Sequence, residues 1–373
     1  MDILKPRAAK WFDKYEPIAK YNLAESYVEP MTLDELLELT GEREATLSKM
    51  LNTPLDYRFG EGSEDFRAAI AGLYANKSKD HVFVTSGAIN ANHIVLFGLI
   101  RPGDRVVCMH PNYQQLYAVP QAYGAQVELL ELREENGYLP DWEELERVVG
   151  DDCRMIICTN PNNPTGAVME RKHLEKLVKI ARNAGAYLLC DEIYKHFLRG
   201  GVDLPNVADL YEKGISTSSL SKVYALSGLR LGWVCASIEI IQELGAYRNY
   251  TVICCGILND IAASLAFRHY DKLVARNTKI IEDNLAVLRV WLAGQPGLQC
   301  AIPAAGTFTL LKYNRDIPSE EFCQGLFERS GVFIMPGACF DMEGYIRIGF
   351  GIDQKIFQIG LEALSSYLQE LQP

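Results

Sequence analysis

The sequence predicts an α/β protein: a mostly parallel sheet covered by helices on both faces, with a smaller α+β part. Three observations predict it. Short, nearly unbroken apolar runs alternate with amphipathic stretches between about residues 81 and 236, and strands apolar on both sides belong to sheets buried from both faces. After a long helical region at about 257–293 the rhythm changes to strands set beside two helices. A chain of 373 residues also has length enough for two domains.

In chain order, His81–Thr85 reads as the first strand and Asn90–Leu99 as the helix after it. Arg105–Met109, Gln126–Leu130 and Met155–Cys158 are the next strands. A helix at about 171–184 precedes Ala186–Cys190, and Ile215–Ser218 and Trp233–Ala236 complete the set. Phe308–Leu311 and Tyr345–Ile348 are strands of the C-terminal part. No repeat or low-complexity tract interrupts this plan.

Composition removes several classes of function. Hydrophobic residues make up 48% and charged residues 23%, with a net charge of −11. That balance, without a basic cluster, argues against a nucleic-acid partner. The longest apolar stretch, Ala88 to Ile100, is broken by Asn and His and falls short of the roughly 18 residues that cross a bilayer. No apolar signal core follows the charged start. Ten cysteines lie mostly in or beside apolar runs without a CxxC pair, where a thiol acts as a small hydrophobe. A reduced, cytoplasmic protein with no metal site and no membrane partner is expected.

Four motifs carry chemistry, each at the end of a predicted strand, where open parallel sheets hold ligands. Thr85-Ser-Gly-Ala88 is a strand-to-helix turn that is either a structural glycine turn or a phosphate cradle built from backbone N–H groups. Asn160-Pro-Asn-Asn-Pro-Thr-Gly166 spends three asparagines and two prolines on one loop. Asp191-Glu-Ile-Tyr194 puts a carboxylate at the end of an apolar strand; it needs a partner there, for which a protonated ring nitrogen is suited, or else it caps a helix. In Ser219-Leu-Ser-Lys-Val-Tyr-Ala-Leu-Ser-Gly-Leu-Arg-Leu-Gly-Trp233 a lysine is flanked by hydroxyls, with an arginine eight residues on. That pair can hold a phosphorylated aldehyde at both ends, the amine by imine formation and the guanidinium by forking onto phosphate oxygens.

The segments NPNNPTG, DEIY, SLSK and SGLRLGW together resemble the signature set of the fold-type I, class I/II aminotransferases that depend on pyridoxal 5'-phosphate (PLP). The resemblance spans at least Tyr57 to Arg347. It implies the aspartate aminotransferase-like fold, with a mostly parallel seven-stranded sheet between helices in a large domain and a small α+β domain. On that plan residues 1–50 form the N-terminal arm and part of the small domain, 51–275 the PLP-binding domain, and 276–373 the C-terminal small domain.

The resemblance also implies roles. Lys222 would form the Schiff base and move the substrate proton, Asp191 would pair with the pyridinium nitrogen, and Tyr194 and Asn163 would bond the ring's phenolic oxygen. Tyr113 would stack on the ring, the alternative being a core tyrosine. Gly87, Ala88, Ser219 and Arg230 would hold the phosphate, with Ser221 nearby. Arg347 would clamp the substrate carboxylate, or else is a surface arginine on a strand. Tyr57, followed by Gly62 and Arg67, resembles the segment whose tyrosine reaches the neighbouring subunit's phosphate, which implies a homodimer with active sites at the interface; Arg67 is read as structural. Substrates would be an amino acid and a 2-oxo acid.

Two departures bear on substrate. The N-terminal segment Tyr21–Pro30 lacks the family's usual glycine-bearing apolar loop, and Glu25 or Glu29 either faces a cationic substrate side chain or is a solvated carboxylate. Asn259 stands where relatives often carry glutamine. Because the family's cofactor site also serves elimination, cyclisation, decarboxylation and O2-dependent oxidation, those reactions, arginine among their substrates, stay open beside transamination. A non-catalytic PLP sensor usually carries an appended basic DNA-binding domain, whereas the residues before Tyr57 are not basic; an NAD-binding protein would show GxGxxG, which the turn after the first strand does not supply.

Overall fold

The computed structural model describes residues 3–195 and 198–371. Strand β1 is Tyr21–Asn22. The central strands are β2 (Val82–Thr85), β3 (Arg105–His110), β4 (Gln126–Glu131), β5 (Cys153–Thr159), β6 (Tyr187–Asp191), β7 (Gly214–Ser219) and β8 (Gly232–Cys235). The C-terminal part adds β9 (Leu298–Gln299), β10 (Phe308–Tyr313), β11 (Val332–Phe333), β12 (Met335–Pro336) and β13 (Tyr345–Gly349).

Strands β2 to β8 form one seven-stranded sheet in the order β2-β8-β7-β6-β5-β3-β4. Every pairing is parallel except those of β8, which runs against both neighbours. The reason is the connection. Parallel neighbours need a crossover to the far edge, whereas the loop after β7 turns back so that Ser219 pairs with Gly232. The expected α/β class with a mostly parallel sheet is the observed one.

Alternation within the strands shows why they read as unbroken apolar runs. Val106, Cys108, Met155, Ile157 and Leu189 pack into one buried cluster. Their sequence neighbours Val107, Met109, Ile156, Cys158 and Leu188 pack into another on the opposite face. Both faces are dry, so both sets of side chains are apolar. None of the ten cysteines forms a disulfide.

Two element boundaries differ from the sequence expectation. The helix after β2 starts at Gly87, three residues before the expected Asn90, and so begins directly at the strand end. The helical region at 257–293 is two helices, Ile257–Arg268 and Tyr270–Ala293. The break is pinned by Glu42, whose carboxylate meets His269 Nε2 at 2.7 Å and Arg268 Nη2 at 2.8 Å.

The two chain ends meet. β1 pairs in parallel with β11, and the helix Arg7–Tyr15 is tied down by Trp11, whose indole N–H donates to the Ile334 carbonyl at 3.0 Å. β9, β10, β12 and β13 make an antiparallel sheet that carries Arg347. Among the described residues no helix is long and apolar enough to cross a membrane.

Candidate active site

Because β2, β3, β5, β6 and β7 are mutually parallel, their carboxyl ends lie along one edge of the sheet, and a cavity of about 490 Å3 opens there. All four motifs deliver residues to it, along with Arg347 from β13.

At one end, backbone N–H groups, hydroxyls and a guanidinium converge. Thr85 Oγ1 donates to the Gly87 carbonyl at 3.0 Å, and Gly87 itself is left-handed, with φ of 77°. Arg230 lies so close that a Cβ on Gly87 would stand 2.9 Å from its Nη2. Arg230 donates to the Ser227 carbonyl at 3.1 Å, and the Ser221 amide donates to the buried Ser219 hydroxyl at 3.1 Å. A helix N-terminus facing an arginine suits a phosphate. Gly232 makes this approach possible, since a Cβ there would sit 2.5 Å from Gly87 C and 2.6 Å from Ala88 N. Those are backbone atoms that cannot move aside. Gly232→Ala is therefore expected to lower stability by about 1–3 kcal/mol and to weaken PLP binding, measured by thermal melts with and without PLP.

Deeper in, Asp191 is 4% exposed. Its carboxylate accepts from Asn92 Nδ2 at 2.9 Å and from the Ile193 amide at 3.1 Å. Burial nevertheless raises its pKa to about 6, because these neutral donors and the more distant Lys222 only partly offset the desolvation. A protonated ring nitrogen would supply the missing cation. Asn92 is held in turn by Thr217, whose hydroxyl donates to its Oδ1 at 2.6 Å.

Across from it, burial lowers the Lys222 amine to a pKa of about 8, with Glu25 opposing the shift. Its Nζ donates to Ser26 Oγ at 3.0 Å, and the Tyr194 hydroxyl donates to the same oxygen at 3.2 Å. Arg347, 3% exposed, donates to Asn163 Oδ1 at 2.9 Å and to the Ala24 carbonyl at 2.7 Å. Its buried Nε has no partner. The two asparagines before Asn163 serve the loop: Asn160 exchanges hydrogen bonds with Met169 at 3.0 and 2.9 Å, and Asn162 donates to the Pro111 carbonyl at 3.1 Å.

Lys222, Asp191, Tyr194, Asn163, Tyr113, Ala88, Ser219, Ser221, Arg230 and Glu25 thus share this cavity with Arg347, and Gly87 backs Arg230. Tyr113 stands at its edge, 41% exposed. Tyr57 is not brought in; it is 83% exposed, away from the cavity of its own chain. Glu29 is absent from the lining, which separates it from Glu25. Arg67 pairs with Glu61 at 2.9 Å. Asn259 donates to the Leu229 carbonyl at 3.0 Å, beside Arg230.

Sequence reasoning missed Asn92, Ser26, Tyr27 and the N-terminal residues Phe12, Asp13 and Glu16, all of which line the cavity. Asn92 had a signal, an amide interrupting an apolar helix. The others had none, since only the folded chain brings the N-terminus here.

The family model for aminotransferase class I and II matches residues 33–364. Capreomycidine synthase of Streptomyces vinaceus is 30% identical over 353 residues, covering 94% of this chain and 90% of that protein. An aspartate aminotransferase of Pyrococcus horikoshii is 28% identical over 310 residues, covering 80% of this chain and 79% of that one. Among solved structures, a PLP-dependent aminotransferase from Streptococcus suis superposes with a TM-score of 0.98 at 40% identity over 100% of both chains. The PLP-dependent cyclase OrfR superposes with a TM-score of 0.92 at 28% identity over 100% of this chain and 99% of that one. With Gly87 beside Arg230, the buried carboxylate of Asp191 and the part-buried Lys222 around one cavity, the chain belongs to the class I and II aminotransferase family of PLP-dependent enzymes.

Proposed function

We propose that the chain is an aminotransferase that moves the amino group of an L-amino acid to a 2-oxo acid. One observation carries this reading. The Lys222 amine, lowered to about 8, shares a cavity with Asp191 and with an Arg347 whose buried Nε has no hydrogen-bond partner. PLP, when bound, supplies an electron sink for charge developing at the substrate Cα.

The residues divide the work. Lys222 would hold the cofactor through its amine and would take the proton from the substrate Cα; an amine lowered to about 8 suits that transfer near physiological pH. Asp191 would keep the ring nitrogen protonated, and Tyr194 and Asn163 would bond the ring hydroxyl. Gly87, Ala88, Ser219 and Arg230 would hold the phosphate, and Tyr113 would stack on the ring. Arg347 would take the α-carboxylate through its guanidinium, whose Nε has no partner within the protein. We further propose a homodimer in which Tyr57 reaches the neighbouring subunit's phosphate, supported by the exposed apolar side chains of Leu51, Leu55 and Tyr57.

A second reading keeps the site and changes the outcome to cyclase, lyase or oxidase chemistry. The similarity to proteins named capreomycidine synthase and PLP-dependent cyclase supports it. Product analysis of the PLP-loaded enzyme with a panel of amino acids separates the two. Transamination is expected to require a 2-oxo acid acceptor and to release no ammonia. Turnover without acceptor, accompanied by ammonia, O2 uptake or a ring-closed product, would establish the second.

A further inference from the structure

We infer that this cavity selects an amino acid whose side chain ends in a cation, an ammonium or a guanidinium, received by Asp13, Glu16 and Glu25. The inference rests on the reading of Arg347 as the carboxylate clamp and deepens it.

The charges that line the cavity do not balance without such a ligand. Its basic groups are Lys222, Arg230 and Arg347, and its acidic groups are Asp13, Glu16, Glu25 and Asp191. Cofactor and α-carboxylate engage all three bases and Asp191. Asp13, Glu16 and Glu25 are left over, and among the described residues none of them is in an ion pair. Asp13 and Glu16 are exposed, whereas Glu25 is partly buried, and a partly buried carboxylate without an ion-pair partner is unfavourable. Burial raises the Glu25 carboxyl above its ordinary value; Lys222 opposes the rise and the adjacent Glu16 adds to it. The Tyr27 hydroxyl, itself pushed up by burial and by Glu25, bonds the same carboxylate.

Position fits a ligand held at two ends. Glu25 follows directly on Ala24, whose carbonyl receives Arg347 Nη2, so the acidic wall begins where the clamp ends. The clamp shows a second sign of a missing ligand, the buried and unpartnered Nε of Arg347. Asp13 lies on the helix Arg7–Tyr15, and Glu16 opens the turn that follows it. That helix is fixed in place. Arg7 pairs with Asp341, its amide donates to Gln114 Oε1 at 3.0 Å, and Trp11 bonds Ile334 at 3.0 Å. The wall is therefore present before substrate arrives. A side-chain carboxylate such as aspartate's would meet three carboxylates of its own sign, so this cavity disfavours the dicarboxylic substrates named for several of its relatives.

The test is calorimetric titration of the PLP-loaded enzyme with carboxylic acids that lack an α-amino group and so cannot be transaminated at Cα, with the absorbance spectrum checked for imine formation by an ω-amine. The acids are δ-guanidinovalerate, ε-aminocaproate, the neutral isostere δ-ureidovalerate, and adipate. At least one cationic acid is expected to bind about tenfold or more tightly than the ureido acid, and which one does so tells guanidinium from ammonium recognition. Glu25→Gln is expected to remove that preference while leaving ureido binding within about twofold. Asp13→Asn and Glu16→Gln, at exposed positions, are expected to reduce it by a smaller factor and guard against a folding defect at Glu25. Cationic acids that bind no better than the ureido acid, or adipate binding best, overturn the inference. Arg347→Ala serves as the control. Loss of all binding in that variant, with no cation preference in the parent, sinks the side-chain assignment alone; binding indifferent to Arg347→Ala sinks the clamp reading and this inference with it.

Discussion

Lys222→Ala is expected to leave a folded protein with about 10⁴-fold less activity, because it removes both a positioned base and the covalent anchor of the cofactor. Its effect on stability runs the other way. Burial lowers the amine from its ordinary value of 10.5 to about 8, so the charged form is disfavoured in the folded chain. A base lowered on folding weakens the fold at every pH below its folded value, and the penalty fades as pH rises from about 8 toward 10.5. At pH 7 the penalty is on the order of 3 kcal/mol, so the cofactor-free variant should melt at or above the temperature of the cofactor-free parent. That margin should narrow between pH 8 and 10. A variant that melts well below the parent at pH 7 would show that the lysine's packing outweighs its desolvation. Retained turnover would remove Lys222 from the proposed chemistry.

Asp191→Asn has the second largest expected effect, a loss of about 10²- to 10⁴-fold in kcat, from uncoupling a buried charge pair worth roughly 3–5 kcal/mol. The isostere cannot hold a proton on the ring nitrogen. Cofactor-free protein again separates function from fold. Burial raises the Asp191 carboxyl from 3.8 to about 6, so it weakens the fold once ionised. The penalty is absent below about pH 4, grows between 4 and 6, and above that is on the order of 3 kcal/mol. An asparagine escapes it but turns an NH2 toward either Asn92 or the Ile193 amide, giving back about 1 kcal/mol. The cofactor-free variant should thus be the more stable at pH 7 and lose that advantage near pH 4. PLP should stabilise the parent far more than the variant. Equal stabilisation of both would mean that Asp191 does not face the ring nitrogen.

The sequence by itself determined the seven central strands, their mostly parallel arrangement and the motif positions at the strand ends. These are local properties. A strand buried on both faces favours apolar residues on both, as in Val106–Met109 and Met155–Cys158, and a chain that alternates such strands with helices returns each strand end to the same edge. Tertiary structure decided the rest. Asn160, Asn162 and Asn163 are chemically alike, and only the loop's hydrogen bonds turn two of them inward and leave Asn163 to Arg347. Glu25 and Glu29 sit in one segment, yet one lines the cavity and the other does not, because the chain leaving β1 follows β13, with Leu23 and Gly349 bonded at 2.7 Å. Ser26 and Asn92, which hold Lys222 and Asp191, contact residues 196 and 99 positions away. The helix boundary at His269 depends on Glu42, 227 residues distant. Periodicity records which face of an element is buried; which group meets which across the cavity depends on contacts made far along the chain, and only folding brings those together.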